Sequence, residues 1–323
     1  MSTVDNAAGR SLPLGLPLGR SQIQEYALVG VVVLLLVAGA ILEPGAFLTS
    51  DNMLNVLRQA SVVGVLAIGM TFVIATGGID LSVGSMVAAA AVAGGQFADS
   101  GSLMFILGAV GMGVLLGGIN AGAIAYGRVV PFIATLAMFT MARGLALWLS
   151  DKTPISIFSL EGVRWFGNGE VLGIPSAAVV FLVVTAAAWV LLNRTRYGRY
   201  VVAVGGNREA ARIAGVNVRR IVFSVYVLSG ICVAIAAILV SGRLASASPI
   251  IGNLYELDAI AAVVIGGSAL AGGRATIVGT FLGVITFALI FNLLTLMDLA
   301  TEIQQVTKGL IILAAVLIQR RDR

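Results

Sequence analysis

Apolar residues in this chain gather in long blocks, separated by short polar stretches that carry most of the arginines. A helix that crosses roughly 30 Å of hydrocarbon needs about 20 apolar residues, with about 17–25 tolerated. By that measure ten blocks predict transmembrane helices: 26–42, 61–76, 83–97, 103–125, 129–149, 176–192, 221–241, 259–265, 277–294 and 303–318. The third and the eighth are short, and each adjoins a Gly-Gly pair. The predicted fold class is all-α, a polytopic membrane protein of about ten transmembrane helices with glycine-broken segments and one short cytoplasmic helix. Residues 1–25 form a polar N-terminal tail, 26–319 the membrane domain with a long polar connection at 193–220, and 320–323 a C-terminal tail.

Composition sharpens this. Of 323 residues, 59% are hydrophobic and 11% charged, against roughly 45–50% and about 25% in soluble domains. The mean hydropathy is +1.03. A soluble enzyme, a secreted disulfide scaffold and a disordered chain are excluded. Forty glycines fit close helix packing in a membrane, where small residues let backbones approach. The chain has no histidine and one cysteine, Cys232, inside an apolar block. Imidazole catalysis, histidine metal ligation and an internal disulfide are therefore ruled out, a thiol-based metal site is not expected, and an intramembrane hydrolase would have almost no chemistry to use.

The net charge of +5 comes from 20 basic and 15 acidic residues. In a membrane protein such an excess marks cytoplasmic loops, not nucleic acid. With the N-terminus cytoplasmic and all ten segments crossing, fourteen of the 20 basic residues face the cytoplasm. Only Arg58, Lys152, Arg164 and Arg243 then lie in outer loops, while Arg143 and Lys308 fall within spans. The reverse orientation would invert a strong bias, so both termini are placed inside. The 25 residues before the first span lack the short basic lead of a cleavable signal, and that span is read as retained.

Two glycine-rich interruptions stand out. In Thr76-Gly77-Gly78-Ile79-Asp80-Leu81-Ser82-Val83-Gly84-Ser85 the Gly-Gly pair breaks a helix beside a carboxylate. Such backbone is tolerated at membrane depth only where protein buries it or water reaches it. Asp80 can cap the helix that starts near Ser82 or take part in a path or gate, and the two roles are compatible. The second interruption is Gly266-Gly267-Ser268-Ala269-Leu270-Ala271-Gly272-Gly273-Arg274. Superposing Gly77-Gly78 on Gly266-Gly267 also pairs Leu81 with Leu270 and Gly84 with Gly273, as a duplicated transporter would; a glycine-rich chain could match that well by chance. Asn120, Thr135 and Asn292 join Gly77, Gly78, Asp80, Ser82, Gly266 and Gly267 as candidate path or gate residues, because their polar side chains lie within or beside spans.

The connection at 193–220 holds Gly205-Gly206-Asn207-Arg208-Glu209-Ala210-Ala211-Arg212-Ile213-Ala214-Gly215-Val216-Asn217. It reads as a short helix with Asn207 as N-cap, Glu209 in the first turn and Gly215 as stop. A helix of this length is marginal alone in water, so it rests on a partner; a basic loop that only fixes topology is the plainer alternative.

These motifs resemble the ribose-type permeases of ATP-binding-cassette (ABC) importers for monosaccharides. The run Gly77 to Ser85 looks like that family's signature, and so does Tyr255-Glu256-Leu257-Asp258-Ala259-Ile260-Ala261-Ala262-Val263-Val264-Ile265-Gly266-Gly267. The segment from Gly205 to Val218 is similar to its cytoplasmic coupling segment, with Glu209-Ala210-Ala211 and Gly215 echoing the EAA loop of other importers. The likeness runs from about residue 52 to 319. It implies a bacterial inner-membrane permease that pairs with a second copy or a homologous permease. Asn207, Arg208, Glu209, Ala210, Ala211, Arg212 and Gly215 would dock into a cytoplasmic ABC ATPase, and a periplasmic sugar-binding protein would deliver the sugar. Related permeases tend to carry an Asn-Gly-Leu-Asn-Leu-like stretch where this chain has Phe291-Asn292-Leu293-Leu294-Thr295-Leu296, which puts specificity there in question.

The energy source is consistent with this. No G-x-x-x-x-G-K-[ST] loop is present, since the two lysines, Lys152 and Lys308, do not follow glycine. The expectation is no cofactor of its own, with ATP bound by the partner subunit. An ion-coupled secondary transporter would explain the spans, with Asp80 as its best coupling group, but it leaves the arginine-rich capped helix without purpose.

Overall fold

The computed structural model describes residues 20–321. Thirteen α-helices and four two-residue strands order as α1 (Arg20–Leu42), α2 (Ser50–Ala75), α3 (Val83–Gly95), α4 (Ser102–Ala125), α5 (Pro131–Leu149), β1 (Ile155–Ser156), α6 (Glu161–Asn168), β2 (Glu170–Val171), β3 (Ile174–Pro175), α7 (Ser176–Arg194), α8 (Arg196–Gly206), α9 (Arg208–Ile213), α10 (Val218–Leu244), β4 (Ser246–Ala247), α11 (Tyr255–Ile265), α12 (Ile277–Leu296) and α13 (Thr301–Arg321). A helix forms at each of the ten predicted blocks. The expected tail at 1–25 lies outside the described residues up to residue 19, and α1 already begins at Arg20.

Helix length and composition bear out only part of the expected ten crossings. Among the described residues, six helices are long and apolar enough to cross a bilayer: α2, α4, α5, α7, α10 and α12. α3 and α11 have 13 and 11 residues, about 20 Å and about 17 Å at 1.5 Å per residue. Neither covers 30 Å of hydrocarbon as helix, because each is limited by glycine and turn residues at its ends.

α2 is the central element. Its apolar span is 78% buried, and it packs against α7, α10, α11 and α12. The α4–α10 crossing brings backbones into contact: a Cβ on Gly113 would lie 2.6 Å from the Gly230 carbonyl. α11 and α12 meet the same way, with Gly266 against the backbone of Gly279. A buried hydroxyl pair, Thr71 Oγ1 and Thr280 Oγ1 at 2.8 Å, ties α2 to α12.

At one end of the bundle, β1 pairs antiparallel with β4, β2 with β3, and Arg58 bridges Glu170 at 2.9 Å. Arg58, read as a loop residue, lies inside α2, which begins eleven residues earlier than expected because Thr49 caps it. The opposite end carries α8 and α9. The connection at 193–220 is therefore mostly helical: α7 continues to Arg194, α8 fills 196–206, and α10 starts at Val218.

Candidate functional site

Two helix ends are built alike. At the end of α2, Gly77 takes φ +76°, its N–H donates to Ile74 O (2.8 Å), and the Gly78 N–H donates to Val73 O (3.1 Å). At the end of α11, Gly267 takes φ +87°, its N–H donates to Val264 O (3.0 Å), and the Ser268 N–H donates to Val263 O (3.2 Å). Both are Schellman turns, in which a left-handed residue closes the helix. Gly77 therefore corresponds to Gly267. The superposition of Gly77-Gly78 on Gly266-Gly267 is off by one residue, and the Leu81–Leu270 and Gly84–Gly273 matches fall away with it.

The two turns touch. The Gly273 N–H donates to Ala75 O at 3.0 Å. A Cβ on Gly77 would lie 3.3 Å from Ala271 O, and one on Gly272 would lie 2.8 Å from Gly77 N. The end of α8 is inserted at the same point: a Cβ on Gly205 would overlap Ala75 O and sit 2.5 Å from Gly273 N. Only a residue without a side chain allows three backbones to converge so closely. The junction thus joins three segments far apart in the chain.

α9 leaves directly from this junction. Asn207 Oδ1 accepts the Ala210 N–H at 2.9 Å, which is the predicted N-cap. Gly215, at φ +83°, ends the helix with a third Schellman turn, its N–H on Arg212 O and that of Val216 on Ala211 O, both 3.0 Å. Ala211 is buried against the protein, while Ile213 is 78% exposed. Glu209 and Arg212 form an exposed ion pair, and the guanidinium beside Glu209 holds its carboxyl below the usual carboxylate value. Arg208 Nη2 donates to Thr76 O at 3.4 Å, a direct bond from the short helix to the α2 turn. Arg128, Arg208 and Arg219 surround an open cavity of about 690 Å³ between this junction and the α4–α5 turn.

Four of the polar path candidates fall elsewhere, in one buried network. Asp80, Ser82, Asn120 and Thr135 are at most 1% exposed. Asp80 Oδ1 accepts the Ser82 N–H (3.0 Å) and the Ser82 hydroxyl, and its Oδ2 accepts Ser229 Oγ–H (3.1 Å). Asn120 Nδ2 donates to Ser82 Oγ at 2.9 Å, and Thr135 Oγ1 donates to Ile79 O at 3.3 Å. The N-cap of α3 is Ser82; Asp80 instead closes the turn two residues before that cap. Its three donors offset the cost of burying a carboxylate; the bond from Ser229 ties the turn to α10, and that from Asn120 to Ser82 ties it to α4.

Asn292 is not part of that network. It exchanges amide hydrogen bonds with Asn52, at 2.8 and 2.9 Å, near the other end of the bundle. Sequence reasoning missed Gly205, Gly272 and Gly273 as site residues. Their signal was present as two further Gly-Gly pairs, 205–206 and 272–273.

Comparison with known proteins identifies the family. Residues 52–316 match the family described as "Branched-chain amino acid transport system / permease component". The chain is 39% identical to the ribose import permease protein RbsC of Escherichia coli strain K12, over 93% of this chain and 95% of that one. It is 44% identical to RbsC of Bacillus subtilis strain 168, over 91% of each, and 32% identical to the xylose transport system permease protein XylH of Escherichia coli strain K12, over 91% of each. No solved structure matches the chain.

Proposed function

The chain belongs to the family of the branched-chain amino acid transport system permease component, and on that premise we propose that it is the membrane permease subunit of an ABC importer for a monosaccharide. Its relatives are named a ribose import permease (RbsC) and a xylose transport system permease (XylH), which favours a pentose or related sugar. ATP hydrolysis belongs to a separate cytoplasmic ATPase gripped by α9, delivery to a periplasmic sugar-binding protein, and the path to the interface with a second permease.

The observation that carries this reading is the contact between α9 and the two glycine turns. A push on the exposed Glu209–Arg212 face passes through Arg208 to Thr76 O and through Gly205 to Ala75 and Gly273. These are the ends of α2, the most buried span, and of the loop between α11 and α12. Gly77, Gly78, Gly266 and Gly267 then act as the hinge of the gate. Asp80, Ser82, Asn120 and Thr135 form the rigid block that moves with it. α1 and α13 add two crossings to the six, and α3 and α11 with their non-helical flanks add two more. Both termini then lie in the cytoplasm of a bacterial inner membrane.

Affinity purification of the tagged chain from its native membrane tests the assignment: a nucleotide-binding-domain ATPase is expected in stoichiometric amount, and its absence under conditions that keep the permease folded contradicts it. Orientation has its own test. With Cys232→Ser as background, Arg208→Cys is expected to react with an impermeant maleimide only in inverted vesicles; reaction in intact, outer-membrane-permeabilised cells reverses the topology.

A further inference from the structure

A second cavity, of about 220 Å³, opens among α2, α11, α12 and α13. Its position follows from α10, whose first turn adjoins α9. That helix has 27 residues, about 40 Å at 1.5 Å per residue, and Arg243 in its last turn reaches the cavity wall. The cavity therefore lies at the far end of the bundle from the coupling helix.

Part of its lining is satisfied internally. Lys308 Nζ lies 2.5 Å from Asp258 Oδ1 and 5.4 Å from the centre of the Phe291 ring. Asn292 is held by Asn52. These groups give a fixed wall. Gln59, Arg243 and Tyr255 also line the cavity, yet among the described residues their side chains make no hydrogen bond or salt bridge. An amide, a guanidinium and a phenol thus converge on one space with their hydrogen-bonding capacity unused. The rings of Phe287 and Phe291 supply an apolar face beside them.

We propose that this cavity binds a single monosaccharide ring at the outer end of the permease, with hydroxyls meeting Gln59, Arg243 and Tyr255 and the apolar face of the ring on Phe287 and Phe291. Drug-sized ligands occupy pockets of about 300–1,000 Å³, so 220 Å³ suits a smaller, one-ring ligand. Asp258 neutralises Lys308 and leaves Arg243, among the described residues, as the one unpaired charge in the lining, so an anion such as phosphate is the competing occupant that the test must separate from a sugar. A lipid tail would leave three polar groups unsatisfied. The proposal rests on the monosaccharide reading and adds the residues that touch the sugar. It also gives Asn292, singled out as a path residue, the role of bracing the rim.

The test uses the full chain in nanodiscs, with saturation-transfer NMR on D-ribose and D-xylose and inorganic phosphate added as a competitor. A pentose signal is expected that millimolar phosphate does not displace. Gln59→Ala with Tyr255→Phe should weaken it about tenfold, as the loss of one or two hydrogen bonds does, while the unfolding temperature stays near wild type. In the importer assembled with its ATPase and binding protein, the same variant should raise the half-saturating concentration for uptake. Loss of the pentose signal on adding phosphate, or sugar signals and uptake unchanged in the variant, overturns the cavity assignment and leaves the importer reading standing. No uptake of any monosaccharide by the wild-type assembly overturns the importer reading itself.

Discussion

Gly205→Ala is expected to reduce ATP-driven transport by about tenfold or more, while Gly206→Ala one residue on leaves it close to wild type. A Cβ on Gly205 would collide with Ala75 O and crowd Gly273 N. Those atoms are backbone, Ala75 O at the end of α2 and Gly273 N hydrogen-bonded to it from the loop between α11 and α12, so nothing can rotate away. The end of α8 must move off the α2 turn, and overpacking of this kind costs about 1–3 kcal/mol. A bias near 1.4 kcal/mol already shifts a two-state equilibrium about tenfold. A Cβ on Gly206 would find only Gly273 Cα, at 3.9 Å, an ordinary contact. Uptake and ATPase stimulation in the assembled importer read the difference. Because insertion depends on the apolar spans, membrane levels of both variants should match wild type. Equal transport by the two variants would remove the junction from the mechanism.

The second large effect concerns stability. Lys308→Met is expected to destabilise the permease by about 3–5 kcal/mol, the usual cost of leaving one partner of a buried ion pair uncompensated. The pair is 16% and 12% exposed at its side chains, and Lys308 also sits 5.9 Å from the Phe287 ring centre. Adding Asp258→Leu removes the stranded carboxylate and should restore most of the loss, since replacing a buried pair by apolar groups is often neutral or better. Thermal unfolding of the three proteins in one detergent measures this. A single variant as stable as wild type would show that the pair is solvated and contributes little.

The apolar blocks and their caps were readable in advance because they are local. Ten blocks led to ten helices, Asn207 and Gly215 bound α9 as their chemistry requires, and the resemblance pointed to the family that the comparisons then established. Long-range convergence was not readable. Ala75, Gly205 and Gly273 meet through backbone atoms, and a contact between side-chain-free residues leaves no periodic pattern behind. α8 was hidden within a loop for a related reason: only Val201, Val204 and Gly198 of it are buried, too few to produce an apolar block. The repeat register slipped by one because the Schellman turn requires glycine only at C′. The flanking position is Thr76 in one turn and Gly266 in the other, so matching Gly-Gly to Gly-Gly aligned the wrong pair. Asn120 and Thr135 were chosen as polar residues in apolar surroundings, a criterion that cannot separate a path from a satisfied core network.

The central claim is that motion in this permease is driven by an ATPase held through α9 and passed on at the glycine junction. Uptake by proteoliposomes tests it most directly, comparing permease alone with permease plus its ATPase and binding protein. Concentrative monosaccharide uptake is expected only with both partners and internal ATP, and an imposed proton or sodium gradient should drive none. Accumulation by the permease alone under such a gradient would contradict the account.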